Sequence, residues 1–184
     1  MEEIQTECSA KGIVRNGIFE YTRFDDSCAK LIKIRETWKD DKREGPCEEW
    51  YENGQLKRRN MYQNDECEGE SWEEWHENGQ LKMRFTCQND ECGDFFEEWY
   101  ENGRLKERFT YACQSEELEG PYEKWYENGQ LKSRKMYKNS KREGLSEGWY
   151  ENGQLKSREM YKNSKREGLR EAWCENGQLK RRET

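Results

Sequence analysis

One eight-residue phrase recurs six times along this chain. Trp-Tyr-Glu-Asn-Gly-Gln-Leu-Lys begins at Trp50 and returns from Trp75, Trp99, Trp125, Trp149 and Trp173, with His76 and Cys174 in place of Tyr and Arg104 in place of Gln. The starts lie 25, 24, 26, 24 and 24 residues apart. A glycine stands five or six residues before each Trp (Gly45, Gly69, Gly93, Gly120, Gly144, Gly168). A tyrosine follows the Leu by six (Tyr62, Tyr111, Tyr137, Tyr161), with Cys87 there once. Self-similarity at a fixed period means that each unit buries its apolar surface against the next copy, so the chain folds as an array.

Turn chemistry gives the unit its shape. Asn-Gly between aromatic and aliphatic flanks is the strongest short-range hairpin signal. A two-residue Asn-Gly loop would pair Tyr51 with Leu56. A three-residue Glu-Asn-Gly loop, with the glycine left-handed in a bulge, would pair Trp50 with Leu56. The second is preferred, because it places Trp, Leu and the tyrosine six residues on along one face. The repeat signature is then Trp50, Gly54, Leu56; Trp75, Gly79, Leu81; Trp99, Gly103, Leu105; Trp125, Gly129, Leu131; Trp149, Gly153, Leu155; and Trp173, Gly177, Leu179. The expected fold is all-β: an elongated, solenoid-like single sheet of stacked antiparallel hairpins, one per repeat of about 24 residues. The rings of adjacent copies are expected to pack on one another.

The same reading puts lysine and arginine on the opposite face, one and three places after each Leu. Glu49, Glu74 and Glu98 lie across from the lysines of the first three copies, but Lys124, Gly148 and Ala172 replace them in the last three. Lys132, Arg134, Lys156, Arg158, Lys180 and Arg182, with Tyr126 and Tyr150, are therefore the candidate binding residues. Charge divides likewise: residues 1–120 hold 17 Lys+Arg and 30 Asp+Glu, net −13, while 121–184 hold 16 and 10, net +6. So polarised a chain steers oppositely charged partners to its two parts, or associates with itself through them.

Composition supports a thin fold. Charged residues make up 40% of the chain and the hydrophobic set 31%, too little apolar surface for an ordinary core, while 13% aromatics and two prolines argue against disorder. The eight cysteines show no C-x-x-C spacing, and no signal peptide or transmembrane-length apolar run is evident, so the expectation is reduced thiols in a cytoplasmic protein. Residues 1–44 read as a degenerate copy capping the array, and 45–184 as six repeats ending in a partial unit.

With Gly, Trp-Tyr-x-Asn-Gly-x-Leu-Lys and Tyr in that order, the chain resembles the MORN repeat in its longer variant form over about residues 36–184. The resemblance implies an elongated sheet of successive hairpins. It also implies a scaffold, a lipid-contacting segment or, by analogy with bacterial members, an antitoxin. Ser140–Gly144 and Ser164–Gly168, both Ser-Lys-Arg-Glu-Gly, are similar to copies found in large DNA viruses, which would place the protein in host cytoplasm or a virion. The glycine-rich tyrosine pattern of the lipid-associated form is thin.

No constellation breaks the periodicity as catalysis requires. His76, the single histidine, fills a tyrosine slot, and a glutamate recurs two places before every Trp (Glu48, Glu73, Glu97, Glu123, Glu147, Glu171). Regular spacing of that kind points to structure, and no phosphate loop, nucleophile motif or metal-ligand cluster is evident. The expectation is a non-enzymatic scaffold that binds protein partners and takes no cofactor. Anionic membrane is the alternative partner, and acidity disfavours nucleic acid.

Overall fold

The computed structural model describes residues 14–25, 30–88, 92–112 and 117–184, and all regular structure among them is β-strand. Two compact units are present, Met1–Thr86 and Cys87–Thr184. The first holds β1 (Gly17–Asp25), β2 (Lys30–Lys39), β3 (Lys42–Trp50), β4 (Leu56–Gln63), β5 (Glu66–Trp75) and most of β6 (Leu81–Gln88). The second holds β7 (Cys92–Trp99), β8 (Leu105–Tyr111), β9 (Gly120–Trp125), β10 (Leu131–Lys138), β11 (Lys141–Trp149), β12 (Leu155–Lys162), β13 (Lys165–Trp173) and β14 (Leu179–Glu183). Within each unit every strand pairs antiparallel with the next in sequence. The all-β, stacked-hairpin expectation holds.

The signature turn is the three-residue form. Gly54 N donates to Tyr51 O at 2.9 Å, and Tyr51 N donates to Gln55 O at 2.9 Å. Gly54 has φ +83°, in the left-handed region, and Trp50 pairs with Leu56. Asn53 Oδ1 accepts from Gln55 N at 2.9 Å, so the asparagine braces its own loop. At the other edge of the sheet a second turn joins consecutive copies. Asp40–Asp41, Asn64–Asp65, Asn139–Ser140 and Asn163–Ser164 all have positive φ at both positions, the two-residue form whose twist suits a hairpin.

Each copy also carries a β-bulge. Glu49 pairs with Arg58 while the next residue, Trp50, pairs with Leu56, which leaves Lys57 extra. The same shift recurs at Lys82, Lys106, Lys132, Lys156 and Lys180. A bulge resets the alternation of side chains by one. The expected common face for Trp, Leu and the later tyrosine is therefore corrected: Trp125 and Leu131 share a face, but Tyr137, in register with Gly120, lies on the other.

Ring packing differs from expectation for the same reason. Trp50, Trp75 and Trp125 lie beneath guanidinium groups, with Arg35, Arg59 and Arg108 at 5.3, 5.9 and 5.6 Å from the ring centroids. On the other face of the second unit, Phe109 meets Phe96 at 4.6 Å and Tyr122 at 5.1 Å, and Tyr122 meets Tyr137 at 5.9 Å.

Ile32 and Ile34 are the only apolar side chains classed as buried among the described residues. Ladders of polar contacts between successive turns accompany this shallow core. Along the signature edge, Tyr51, Tyr100, Tyr126 and Tyr150 donate their hydroxyls to the carbonyls of Trp75, Trp125, Trp149 and Trp173 at 2.8–2.9 Å. Beside them Asn53, Asn102, Asn128 and Asn152 donate to the carbonyls of Glu77, Glu127, Glu151 and Glu175 at 2.8–3.0 Å. Along the opposite edge Ser164 N donates to Arg142 O and Arg142 N to Ser164 Oγ, at 2.9 and 3.0 Å.

Candidate interaction surface

The bulge sorts the cations. Glu73 and Glu74 are neighbours on β5 and so project from opposite faces. Arg84 pairs with Glu73 at 3.0 Å, whereas Lys82 pairs with Glu74 at 2.6 Å. The lysine one place after each Leu and the arginine three places after it therefore lie on opposite faces, which corrects the single Lys/Arg face expected from their spacing.

The arginines share the tryptophan face and are engaged there. Arg59 pairs with Glu48 at 3.0 Å, Arg134 with Glu123 at 2.7 Å, Arg158 with Glu147 at 2.8 Å and Arg182 with Glu171 at 2.5 Å. Glu123, 4% exposed, also receives Arg108 at 2.7 Å. Burial pushes its carboxyl pKa up, but the hydrogen bonds from Arg108 and Arg134 outweigh that and hold it below the ordinary value. Arg134, Arg158 and Arg182, three of the candidate binding residues, thus bind the recurrent glutamates within their own hairpins.

The lysines show a gradient along the chain. Lys82 and Lys106 are matched by Glu74 and Glu98 at 2.6 and 2.7 Å. Lys132 and Lys156 meet Lys124 and Gly148 where those glutamates would be, and they lie over the rings of Tyr126 and Tyr150 at 5.3 and 5.4 Å. Lys180, with Ala172 in the corresponding place, is exposed. Among the described residues, no carboxylate lies within ion-pair distance of Lys132, Lys156 or Lys180. Tyr126 and Tyr150 offer their ring faces but not their hydroxyls, which are held by the next copy.

Apolar side chains are exposed on the tryptophan face of the second unit. Pro121 stands opposite Met136 and Leu145 opposite Met160, and Leu169 is exposed two residues before Glu171. Sequence reasoning missed these pairs; the signal was the alternation Leu145, Glu147, Trp149 along β11.

Cys47 and Cys174, the cysteines whose side chains are described, are free thiols. Burial, with Glu36 and Glu49 nearby, pushes the Cys47 pKa up to about 11, so it is a poor nucleophile at neutral pH. The other six cysteine side chains lie outside the described set. No group of three or more potential metal ligands occurs among the described residues.

This is the architecture of a repeat array built from stacked antiparallel hairpins. The family description MORN repeat variant matches residues 43–64, 71–89, 118–139 and 142–163, and the chain belongs to the MORN-repeat proteins. Repeats of this family commonly mediate interactions with proteins or membranes, and the family's all-β scaffold is typically non-enzymatic. No curated protein matches the chain. No helix among the described residues is long and apolar enough to cross a membrane.

Proposed function

We propose that the chain is a non-enzymatic scaffold, with its repeats at 45–184 forming the array and 1–44 capping it. It works within a larger cytoplasmic assembly and binds an acidic protein partner through Lys132, Lys156 and Lys180. The observation that carries this reading is the lysine gradient: the position neutralised by Glu74 and Glu98 in earlier copies has no carboxylate in the last three. Equivalent residues of successive copies are two strands apart, about 10 Å. Carboxylates spaced likewise on one partner would meet all three lysines, with the Tyr126 and Tyr150 rings giving Lys132 and Lys156 a flat, half-buried floor.

The test is affinity capture from the native source with wild-type bait and with a Lys132→Glu, Lys156→Glu, Lys180→Glu bait in parallel. The expected result is a stoichiometric protein released by salt from the first and absent from the second, with equal far-UV circular dichroism for both. Equal recovery would overturn the lysine row as the contact surface. Flotation with vesicles containing acidic lipid separates the membrane alternative, which would require salt-sensitive binding lost in the triple variant. Against that alternative, the exposed apolar pairs lie on the face opposite Lys132, Lys156 and Lys180, and Arg134, Arg158 and Arg182 beside them are already paired with glutamates.

A further inference from the structure

The Asn-Gly phrase that makes each signature turn also carries a reaction of its own. A glycine backbone nitrogen can attack the Cγ of the asparagine before it, because no Cβ on the glycine blocks the approach. Asn53, Asn128, Asn152 and Asn176 all stand in the same local sequence, Glu-Asn-Gly-Gln. Their intrinsic reactivity is therefore equal, and only the fold can rank them.

Three of these four are held at both ends of the side-chain amide. The Oδ1 of Asn53, Asn128 and Asn152 accepts from the backbone nitrogen two residues on, at 2.9–3.0 Å. Their Nδ2 donates to the carbonyls of Glu77, Glu151 and Glu175 in the following copy, at 2.8–2.9 Å. The tyrosines that open the same turns, Tyr51, Tyr126 and Tyr150, add a second bond to that copy. To bring its Cγ onto the glycine nitrogen, each of these asparagines must leave its partners. Asn176 is held at one end only. Its Oδ1 accepts from Gln178 N at 3.1 Å, but its Nδ2 has no partner among the described residues. Cys174 fills the tyrosine position of that turn and brings no hydroxyl.

We infer that Asn176 is a site of self-modification, which deamidates while the laddered asparagines are preserved. Gly177 N gives up its proton to solvent base and forms a bond to Asn176 Cγ. The Cγ–Nδ2 bond breaks and the amide nitrogen leaves as ammonia, which closes a five-membered cyclic imide. Water then opens the imide at either carbonyl, to aspartate or to isoaspartate. Aspartate keeps an Oδ1 to brace Gln178 N, whereas isoaspartate lengthens the main chain of the loop that sets Trp173 opposite Leu179. Both products place a new carboxylate four residues before Lys180.

Incubation of the full chain at neutral pH, folded and in concentrated urea, tests this. Trypsin puts each of the four asparagines in a peptide of distinct sequence, so mass spectrometry follows every amide-to-acid conversion separately. In the folded chain Asn176 is expected to convert at least about ten-fold faster than Asn53, Asn128 or Asn152, since it has fewer hydrogen bonds to break. In urea the four rates are expected to converge. Tyr150→Phe removes one bond from the turn of Asn152 and is expected to raise the Asn152 rate about three-fold or more. A folded Asn176 no faster than Asn152 overturns the inference. A lead that persists in urea, or an Asn152 rate unmoved by Tyr150→Phe, overturns it equally, because the ladder would then not be the source of the difference.

Discussion

The hydroxyl of Tyr126 donates to the backbone carbonyl of Trp149 at 2.9 Å, across a gap of 23 residues. That bond joins two copies of the repeat through a backbone carbonyl of the following signature turn. Its removal is expected to cost about 1 kcal/mol, the usual net worth of one part-buried hydrogen bond. Tyr126→Phe should therefore lower the thermal midpoint by a few degrees, with Tyr150→Phe close behind, as followed by circular dichroism. Burial, then Glu151 and Glu175, raise the Tyr126 pKa above 10.0. A raised folded-state value means that the stabilisation is complete below the unfolded pKa and is lost as pH rises through the folded one. Wild type should therefore lose stability above about pH 10, and Tyr126→Phe should lose less.

Gly153 tests the turn itself. Its φ of +83° is closed to most side chains, and a Cβ there would sit 3.1 Å from Gln130 Oε1. Gly153→Ala combines left-handed strain with displacement of the neighbouring turn, and should destabilise by about 1–2 kcal/mol. Gly153→Asn should recover part of that loss, since asparagine tolerates the conformation. Equal denaturation midpoints for the two variants would refute strain as the main cause.

The turn and the Trp–Leu pair were legible in the sequence because both depend on local chemistry. Asn-Gly demands a left-handed glycine, and the loop length then fixes Trp50 opposite Leu56. The bulge at Lys57 was not legible, because an extra residue in a ladder has no composition of its own; it is a matter of register between strands. That one residue moves Tyr62 off the tryptophan face and separates Lys132 from Arg134, so the candidate cations were found but assigned to one face instead of two. The second turn had a signal, the Asn-Asp and Asn-Ser pairs at Asn64 and Asn139, which the louder Asn-Gly phrase obscured.

Glu123 makes a pH prediction. Its carboxylate receives both Arg108 and Arg134 at 2.7 Å, and its pKa is held below the ordinary 4.5. A depressed acid pKa contributes stability that is present above the unfolded value and lost as pH falls through the folded one. Glu123→Gln should cost about 1–2 kcal/mol at pH 7, discounted because both arginines are half exposed. Its stability should also fall less steeply than wild type below about pH 4.5. Parallel urea titrations at pH 7 and pH 3.5 measure both effects, and identical pH slopes would rule out the assignment.

The face opposite the tryptophans yields the last prediction, because one strand position holds an aromatic ring in one copy and a charge in another. Four residues after the signature leucine stand Phe109 in β8 and Lys135 in β10. Phe109 packs against Phe96, Tyr111 and Tyr122, whereas Lys135, in register with Tyr122, is a half-buried ammonium. Burial, then the nearby Arg142 and Lys124, lower its pKa from 10.5, so its charged form is disfavoured by folding. Phe109→Ala should remove much of a half-buried ring cluster and cost about 2 kcal/mol. Lys135→Met should act in the opposite direction by about 0.5–1 kcal/mol, since it removes the desolvated charge and extends the ring row with an adaptable side chain. For Lys135 the size of the effect also changes with pH: its cost is present while the amine is protonated and fades as pH rises towards the unfolded pKa. The gain from Lys135→Met should therefore be larger at pH 7 than at pH 10.5, as read from thermal midpoints. A variant less stable than wild type at pH 7 would mean that the lysine's aliphatic stem, not its charge, dominates at this position.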